Sequence, residues 1–210
     1  MKNIGKLHII TDISLQDRFT HIDLAEMAIA GGADTIQFRS KSGSTKDLIE
    51  TAKAMKKICS RAGVPLIIND RVDIAMEVAA DGVHLGQDDI PISTARKMLG
   101  LNCIIGGSAG NMDEAEICIT EGADYIGSGP VYYTGSKKDA GPAIGVESLK
   151  KLVEGIPLPV IAVGGISAIN IPELLETGVH GVAVISAVCV SDDPAKATAE
   201  FTKIMNVKRD

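Results

Sequence analysis

Short apolar runs alternate along this chain with longer segments whose apolar residues recur every three or four positions. The two periods are those of a buried strand and of an amphipathic helix. The apolar runs predict eight strands, at 7–12, 35–39, 65–70, 82–86, 103–108, 125–130, 159–165 and 181–186. Helical segments lie between them and after the last one, and many of these end in glycine, as helix C-termini often do. A weak repeat, Gly-Ala-Asp or a close relative, precedes several strands.

Strands that alternate with helices in this way form a parallel sheet. The repeat averages roughly 25 residues, which suits a compact (β/α)8 TIM barrel, and we expect residues 1–210 to form one such α/β domain. An open, doubly wound sheet is the alternative, but it usually has a glycine-rich turn after its first strand. Here the first strand runs into "ITDISLQDR", which contains no glycine.

Composition and charge narrow the function classes. The 210 residues are 45% hydrophobic and carry a formal charge of −6, which argues against a general nucleic-acid binder. No apolar run is long enough to span a membrane. The four cysteines are scattered and form no C-x-x-C pair, so reduced thiols in a cytoplasmic protein are expected. A homo-oligomer is compatible with the sequence.

The segment "IQFRSK" places an amide and two cations on one side of a predicted strand. Because side chains alternate between the two faces of a strand, Gln37, Arg39 and Lys41 share one face, and Phe38 and Ser40 lie on the other. The polar face is either solvated or lines a site for an anion. In a barrel it would point inward, where cations need an anionic partner, so we favour the second interpretation.

Other polar residues follow the predicted strands, at the rim where barrel enzymes build their sites. Asp70 and Asp89 each precede a helix and are either simple N-caps or ligands for Mg²⁺, which favours one or two carboxylates together with substrate phosphate oxygens. The glycines of "VGG" and the segment after the last strand are where such barrels often hold a phosphate. The other rim residues are Thr11, Asp12, Asn69, Gln87, Asp88, Ser108, Thr134, Ser136, Lys137, Lys138 and Ser186.

Several motifs together resemble the thiamine-phosphate synthase family. They are "IQFRSK", "LIINDRVDIA", "ADGVHLGQDDIP", "GADYIGSGPVYYTGSKKDA", "VIAVGGI" and "GVAVISAV", and they span nearly the whole chain in the right order. The resemblance implies a barrel that is a transferase of thiamine biosynthesis. It would condense hydroxymethylpyrimidine diphosphate with hydroxyethylthiazole phosphate, or with its carboxylated precursor, and release pyrophosphate.

The resemblance also implies roles for individual residues. Asp70 and Asp89 would hold Mg²⁺, and Lys137 would meet the leaving pyrophosphate. Ser108 would meet the pyrimidine ring. The pyrimidine diphosphate would be bound by Gln37, Arg39, Lys41 and Asn69, and the thiazole phosphate by Thr134, Ser136, Gly165, Ile185 and Ser186. Arg39, Lys41, Ser108 and Lys137 are the residues expected to carry the chemistry, and the four histidines receive no catalytic role.

Two other functions stay open at this point. A thiazole tautomerase of the same fold would need a positioned acid or base, usually a histidine, in the loop where this chain has Gly110. A non-catalytic barrel that binds a phosphorylated ligand would keep the glycines but would not need the diphosphate and Mg²⁺ residues.

Overall fold

The structure is a computed structural model, which describes residues 2, 4–136 and 141–207. In this part of the chain, eight parallel strands form a closed barrel in sequence order. Their bounds are Leu7–Thr11 (β1), Thr35–Phe38 (β2), Leu66–Asn69 (β3), Gly82–Leu85 (β4), Ile104–Ser108 (β5), Tyr125–Ser128 (β6), Val160–Val163 (β7) and Gly181–Val184 (β8). The predicted barrel is therefore confirmed. Most strands end one or two residues before the predicted boundary, where the chain turns towards the next helix.

Helices surround the barrel. A short 3₁₀ turn, Ile13–Leu15, follows the first strand. The α-helices are His21–Ala30 (α1), Thr45–Ala62 (α2), Val72–Glu77 (α3), Ile92–Leu99 (α4), Met112–Thr120 (α5), Val146–Gly155 (α6), Ile171–Glu176 (α7), Ser186–Cys189 (α8) and Pro194–Val207 (α9). The four-residue α8 was not predicted, because it is shorter than a helical period can reveal. None of the described helices has both the length and the apolar character needed to cross a membrane.

Alternate strand residues belong to two separate hydrophobic clusters. Ile10, Ile67, Tyr125 and Ile161 pack with one another inside the barrel. Their neighbours along the strands, such as Ile9, Ile68 and Ile126, pack against the helices outside. This is the period of two expected of a strand with two buried faces.

The Gly-Ala-Asp repeat has a structural role at the amino ends of the strands. The carboxylate of Asp34 accepts a hydrogen bond from the backbone N–H of Leu7 (3.0 Å), just as Asp124 does from Ile105 (2.8 Å). Asp81, which stands in the same position before β4, accepts from Leu66 N–H (2.8 Å). Each aspartate therefore joins the loop before an even-numbered strand to the start of the preceding strand.

Candidate active site

A cavity of about 540 Å³ opens at the carboxyl ends of the strands. This is the end of the barrel at which TIM-barrel enzymes carry their active sites. The cavity draws its walls from the segments that follow β2 to β8. Its lining includes Arg39, Lys41, Asn69, Asp70, His84, Gln87, Asp89, Ser108, Glu114, Thr134, Ser136, Gly165, Ile185 and Ser186.

The alternation predicted for "IQFRSK" is present in the structure. Gln37 is buried in the barrel, and its Oε1 has no hydrogen-bond partner among the described residues. Arg39 and Lys41 both line the cavity. Phe38 points the other way, into the core between strands and helices. The three polar residues thus form a column that rises from the barrel interior to the rim.

The first cation of this column is fixed in place and the second is more exposed. Arg39 donates through Nη1 to the carboxylate of Asp12, and both side chains are buried. Lys41 Nζ lies 2.6 Å from Asp70 Oδ2, with about half of the lysine side chain exposed. An anion that enters the cavity would therefore meet a preoriented guanidinium and a more mobile ammonium.

The two candidate metal-binding carboxylates lie together and neither caps a helix. Asp70 has a left-handed backbone (φ 63°), and the N-cap of α3 is Arg71, which makes no side-chain cap. Asp89 Oδ2 accepts from Gly86 N–H (2.7 Å), while the N-cap of α4 is Pro91. The N-cap interpretation is therefore wrong for both aspartates.

The electrostatics of this carboxylate pair fit a bound cation. Burial raises the pKa of Asp89, and the Asp70 carboxylate close to it acts in the same direction. A divalent cation would relieve this cost by neutralising both charges. Among the described residues there is no group of three or more His, Cys, Asp or Glu side chains that could hold a metal. Two carboxylates suffice for Mg²⁺ when substrate oxygens and water complete its shell.

Ser108 lies at the end of a row of buried hydrogen bonds. Its Oγ is 3.0 Å from His84 Nε2, and His84 Nδ1 is 3.0 Å from the hydroxyl oxygen of Tyr125. The rings of His84 and Tyr125 stack with their centroids 5.5 Å apart. Gln87 Nε2 donates to the carbonyl of Ser108 at 2.5 Å and holds its backbone.

The opposite wall of the cavity carries hydroxyl groups and glycines. Ser136 Oγ donates to Ser186 Oγ (3.0 Å), and Ser136 N–H donates to Thr134 Oγ1 (3.2 Å). Gly164 and Gly165 have φ values of 94° and 67°. A Cβ on Gly165 would lie 2.7 Å from the Cβ of Tyr132, so only glycine fits this turn. These serines, threonine and glycines give the wall small hydrogen-bond donors and no charge.

The structure brings most of the predicted site residues to one cavity. Asn69, Ser108, Gly165 and Ile185 line it together with the two aspartates. Gln37 lies in the barrel and is not part of the cavity lining. Lys137 and its neighbour Lys138 lie outside the described residues.

Sequence reasoning missed two residues of this region. Asp12 follows the first predicted strand and receives no role from sequence reasoning, yet the structure pairs it with Arg39. His84 was given no part in the site, yet it lines the cavity. The signal for His84 was its spacing in "GVHLG": it alternates with Gly82 and Gly86, so it shares their face of the strand.

Residues 7–188 match the family model described as thiamine monophosphate synthase. The chain is 48% identical over 200 residues to a thiamine-phosphate synthase of Salinibacter ruber, with 95% of this chain and 88% of the relative covered. It is 45% identical over 203 residues to a thiamine-phosphate synthase of Methanocella arvoryzae, with coverage of 97% and 96%.

A solved structure gives the same result for the fold. The thiamine phosphate pyrophosphorylase from Pyrococcus furiosus superposes with a TM-score of 0.89 at 40% identity. The alignment covers 98% of this chain and 97% of that one. Sequence similarity and backbone geometry therefore agree over almost the whole barrel.

Proposed function

The chain belongs to the thiamine monophosphate synthase family, and from this premise we propose that its rim cavity makes thiamine monophosphate. The substrates would be hydroxymethylpyrimidine diphosphate and hydroxyethylthiazole phosphate or its carboxylated form. The observation that carries the proposal is that one cavity holds cations and paired carboxylates on one wall and hydroxyls with glycines on the other. This division suits one diphosphate and one monophosphate.

The reaction replaces a carbon–oxygen bond by a carbon–nitrogen bond. The bond between the pyrimidine methylene carbon and the diphosphate oxygen breaks, and its electron pair leaves with pyrophosphate. The lone pair of the thiazole nitrogen then binds the methylene carbon of the pyrimidine-methyl cation. When the thiazole is the carboxylated form, its carboxyl group must also leave, as CO2, to give the same product. No proton has to be removed from the nucleophile, so the site needs charge stabilisation more than a general base.

The cationic wall would stabilise the leaving group. Arg39 is held by Asp12 before any ligand arrives, so its planar fork loses little freedom when it donates to two diphosphate oxygens. Lys41 would exchange its bond with Asp70 for a bond to the ligand, because its side chain is only half buried. Asn69, beside them on the lining, adds an uncharged donor. For Lys137 we propose the same leaving-group role from the family resemblance alone.

Asp70 and Asp89 would hold Mg²⁺ against the diphosphate. When bound, the ion supplies positive charge to the leaving pyrophosphate. The two aspartates fit this task because they lie close together, line the cavity and do not serve as helix caps. Lys41 already forms an ion pair with Asp70, so this corner of the cavity holds a cation beside the carboxylates before any ligand binds.

The hydroxyl wall would take the thiazole phosphate. Thr134, Ser136 and Ser186 offer small donors, and the left-handed turn at Gly164 and Gly165 lets backbone approach the ligand. Because this wall faces the cationic one across the same cavity, the thiazole nitrogen could be held near the methylene carbon that it attacks. Positioning of this kind is a large part of catalysis between two substrates.

The direct test supplies both substrates to the purified protein with Mg²⁺ and follows thiamine monophosphate and pyrophosphate by chromatography. We expect equal amounts of the two products and loss of both when the metal is chelated. Formation of neither product would refute the proposal. Isomerisation of the thiazole carboxylate without condensation would instead assign the chain to the tautomerases, although Gly110 offers no acid or base.

A further inference from the structure

The hydrogen bonds of Tyr125, His84 and Ser108 have a direction that follows from burial. Tyr125 is almost completely buried, and among the described residues His84 Nδ1 is the one hydrogen-bonding partner of its hydroxyl. If Nδ1 carried the histidine proton, the tyrosine oxygen would accept and its own proton would be buried without an acceptor. An unsatisfied buried donor is costly. Tyr125 must therefore donate to Nδ1.

The tautomer of His84 then decides what Ser108 can do. A neutral imidazole carries one proton, so a bare Nδ1 requires the proton on Nε2. Nε2 lies 3.0 Å from Ser108 Oγ and so donates to it. The serine oxygen accepts this bond, and its own hydrogen is left to point elsewhere. Ser108 lines the cavity.

The surrounding backbone is shaped to admit this row of side chains. A Cβ on Gly106 would lie 2.2 Å from Tyr125 Cζ and 2.5 Å from His84 Nδ1. A Cβ on Gly127 would lie 2.7 Å from His84 Cε1. Two neighbouring strands thus carry glycine where any side chain would displace the pair. Burial also raises the pKa of Tyr125, assisted by the Asp124 carboxylate, which keeps the hydroxyl protonated as a donor.

We propose that Tyr125 and His84 are positioning residues that turn Ser108 into a one-way hydrogen-bond donor. Tyr125 donates to His84, His84 donates to Ser108, and the Ser108 hydroxyl donates into the cavity to an acceptor nitrogen of the pyrimidine ring. This inference rests on the proposed function for the identity of the ring. These three hydrogen bonds form a relay from Tyr125 to the cavity, and the direction of the relay rests on this protein's own contacts and burial.

The relay itself can be tested without substrate. Two-bond nitrogen–proton correlation spectra of protein labelled at the histidine ring nitrogens distinguish the protonated nitrogen from the bare one. We expect His84 to carry its proton on Nε2 in the unmodified protein and a mixture of both tautomers in Tyr125→Phe. A proton on Nδ1 in the unmodified protein would overturn the proposal. Tyr132→Phe, which removes a hydroxyl bonded to Glu173 outside the relay, is the control and should leave His84 unchanged.

The consequence for the ligand is tested by calorimetry. Tyr125→Phe should weaken binding of the pyrimidine diphosphate about two- to tenfold, the usual effect of one neutral hydrogen bond. Binding of inorganic pyrophosphate should not change, because it has no ring. In a double-mutant cycle, Tyr125→Phe added to Ser108→Ala should cost nothing further. Additive losses, or equal losses for pyrophosphate, would show that Tyr125 acts through general packing and would overturn the relay.

Substitution of the histidine gives a second route. His84→Gln keeps an N–H that can reach Ser108, whereas His84→Leu removes it, so affinity should be retained better in the glutamine variant. Equal affinities in the two variants would overturn the relay. These outcomes are separable from failure of the proposed function. An unmodified protein that makes no thiamine monophosphate refutes that function, whereas the tautomer of His84 is read independently.

Discussion

The guanidinium of Arg39 donates to the carboxylate of Asp12 where only 7% and 4% of the two side chains are exposed. The pair joins the end of the first strand to the end of the second and fixes the cation at the floor of the cavity. Arg39 therefore has two tasks, one in the folded protein and one towards a ligand. Substitutions can separate them.

Arg39→Gln should lower both affinity and stability. Loss of a charged hydrogen bond costs about 1.5–3 kcal/mol, so affinity for the pyrimidine diphosphate should fall about ten- to a hundredfold. Asp12 would remain as an unpaired buried charge, which typically costs about 3–5 kcal/mol in the free energy of unfolding. Calorimetry and urea denaturation measure the two effects.

The double variant Asp12→Asn/Arg39→Gln provides the control. It removes both charges, so it should recover most of the lost stability while affinity stays low. Lys41→Gln should reduce affinity to a similar degree with little effect on stability, because that side chain is half exposed. If the double variant remains as unstable as the single one, the buried ion pair is not the cause of the loss.

The alternation in "IQFRSK" predicts that substitutions at Phe38 and Ser40, on the face away from the cavity, do not weaken ligand binding as those at Arg39 and Lys41 do. Phe38 is buried and makes a T-shaped ring contact with His21, so Phe38→Ala should lower the free energy of unfolding by about 3–5 kcal/mol. Affinity of the folded protein for the diphosphate should change little. Ser40→Ala, at the next residue on that face, should affect neither quantity. A loss of affinity at Ser40 as large as at Arg39 would contradict the assignment of faces.

Local patterns predicted the barrel and most of the rim, because strand period and the position of polar residues after strands are properties of short segments. The pairing of Asp12 with Arg39 and of His84 with Ser108 was not predicted. These pairs are separated by 27 and 24 residues, and they meet only because neighbouring strands adopt one register. A histidine in mid-strand also has the pattern of a core residue. Its role becomes visible only when Gly106 and Gly127 are seen to make room for it.

The environment of Asp124, at the amino ends of the barrel strands, predicts that the stability of the protein depends on pH. Burial acts to raise the pKa of Asp124, but hydrogen bonds from Lys2, Ile105 N–H and Arg96 together outweigh it and lower the pKa below 3.8. An acid with a lowered folded pKa stabilises the protein above its unfolded pKa, and this contribution is lost as the pH falls through the folded value.

Asp124→Asn should therefore reduce the free energy of unfolding at neutral pH by about 1–2 kcal/mol, a value reduced for partial exposure. The difference from the unmodified protein should shrink as the pH falls below 3.8. Urea denaturation across this range measures it. The exposed Asp17 supplies the matched control, since Asp17→Asn should be neutral throughout. A deficit at Asp124 that does not depend on pH would mean that packing, not charge, is responsible.

Substitution of Asp70 or Asp89 by asparagine distinguishes a metal-binding role of the two carboxylates from a structural one. Asn keeps the size of Asp and tolerates the left-handed backbone of Asp70, so Asp70→Asn and Asp89→Asn should fold normally. Without metal neither variant should melt below the unmodified protein, because each relieves the repulsion between neighbouring carboxylates. Both variants should nevertheless lose most of their turnover.

Added Mg²⁺ together with the diphosphate substrate provides the decisive comparison. A ligand that binds only the folded state raises its stability in proportion to the logarithm of ligand concentration over Kd. The unmodified protein should therefore melt at a higher temperature when both are present than with the diphosphate alone, and the two variants should lack this increment. Asp88→Asn, beside Asp89 on the cavity rim, serves as the control and should keep it. If both asparagine variants retain near-normal turnover and the full Mg²⁺-dependent shift, the two carboxylates do not hold the metal, and the charge that stabilises the leaving pyrophosphate must come from Arg39 and the lysines alone.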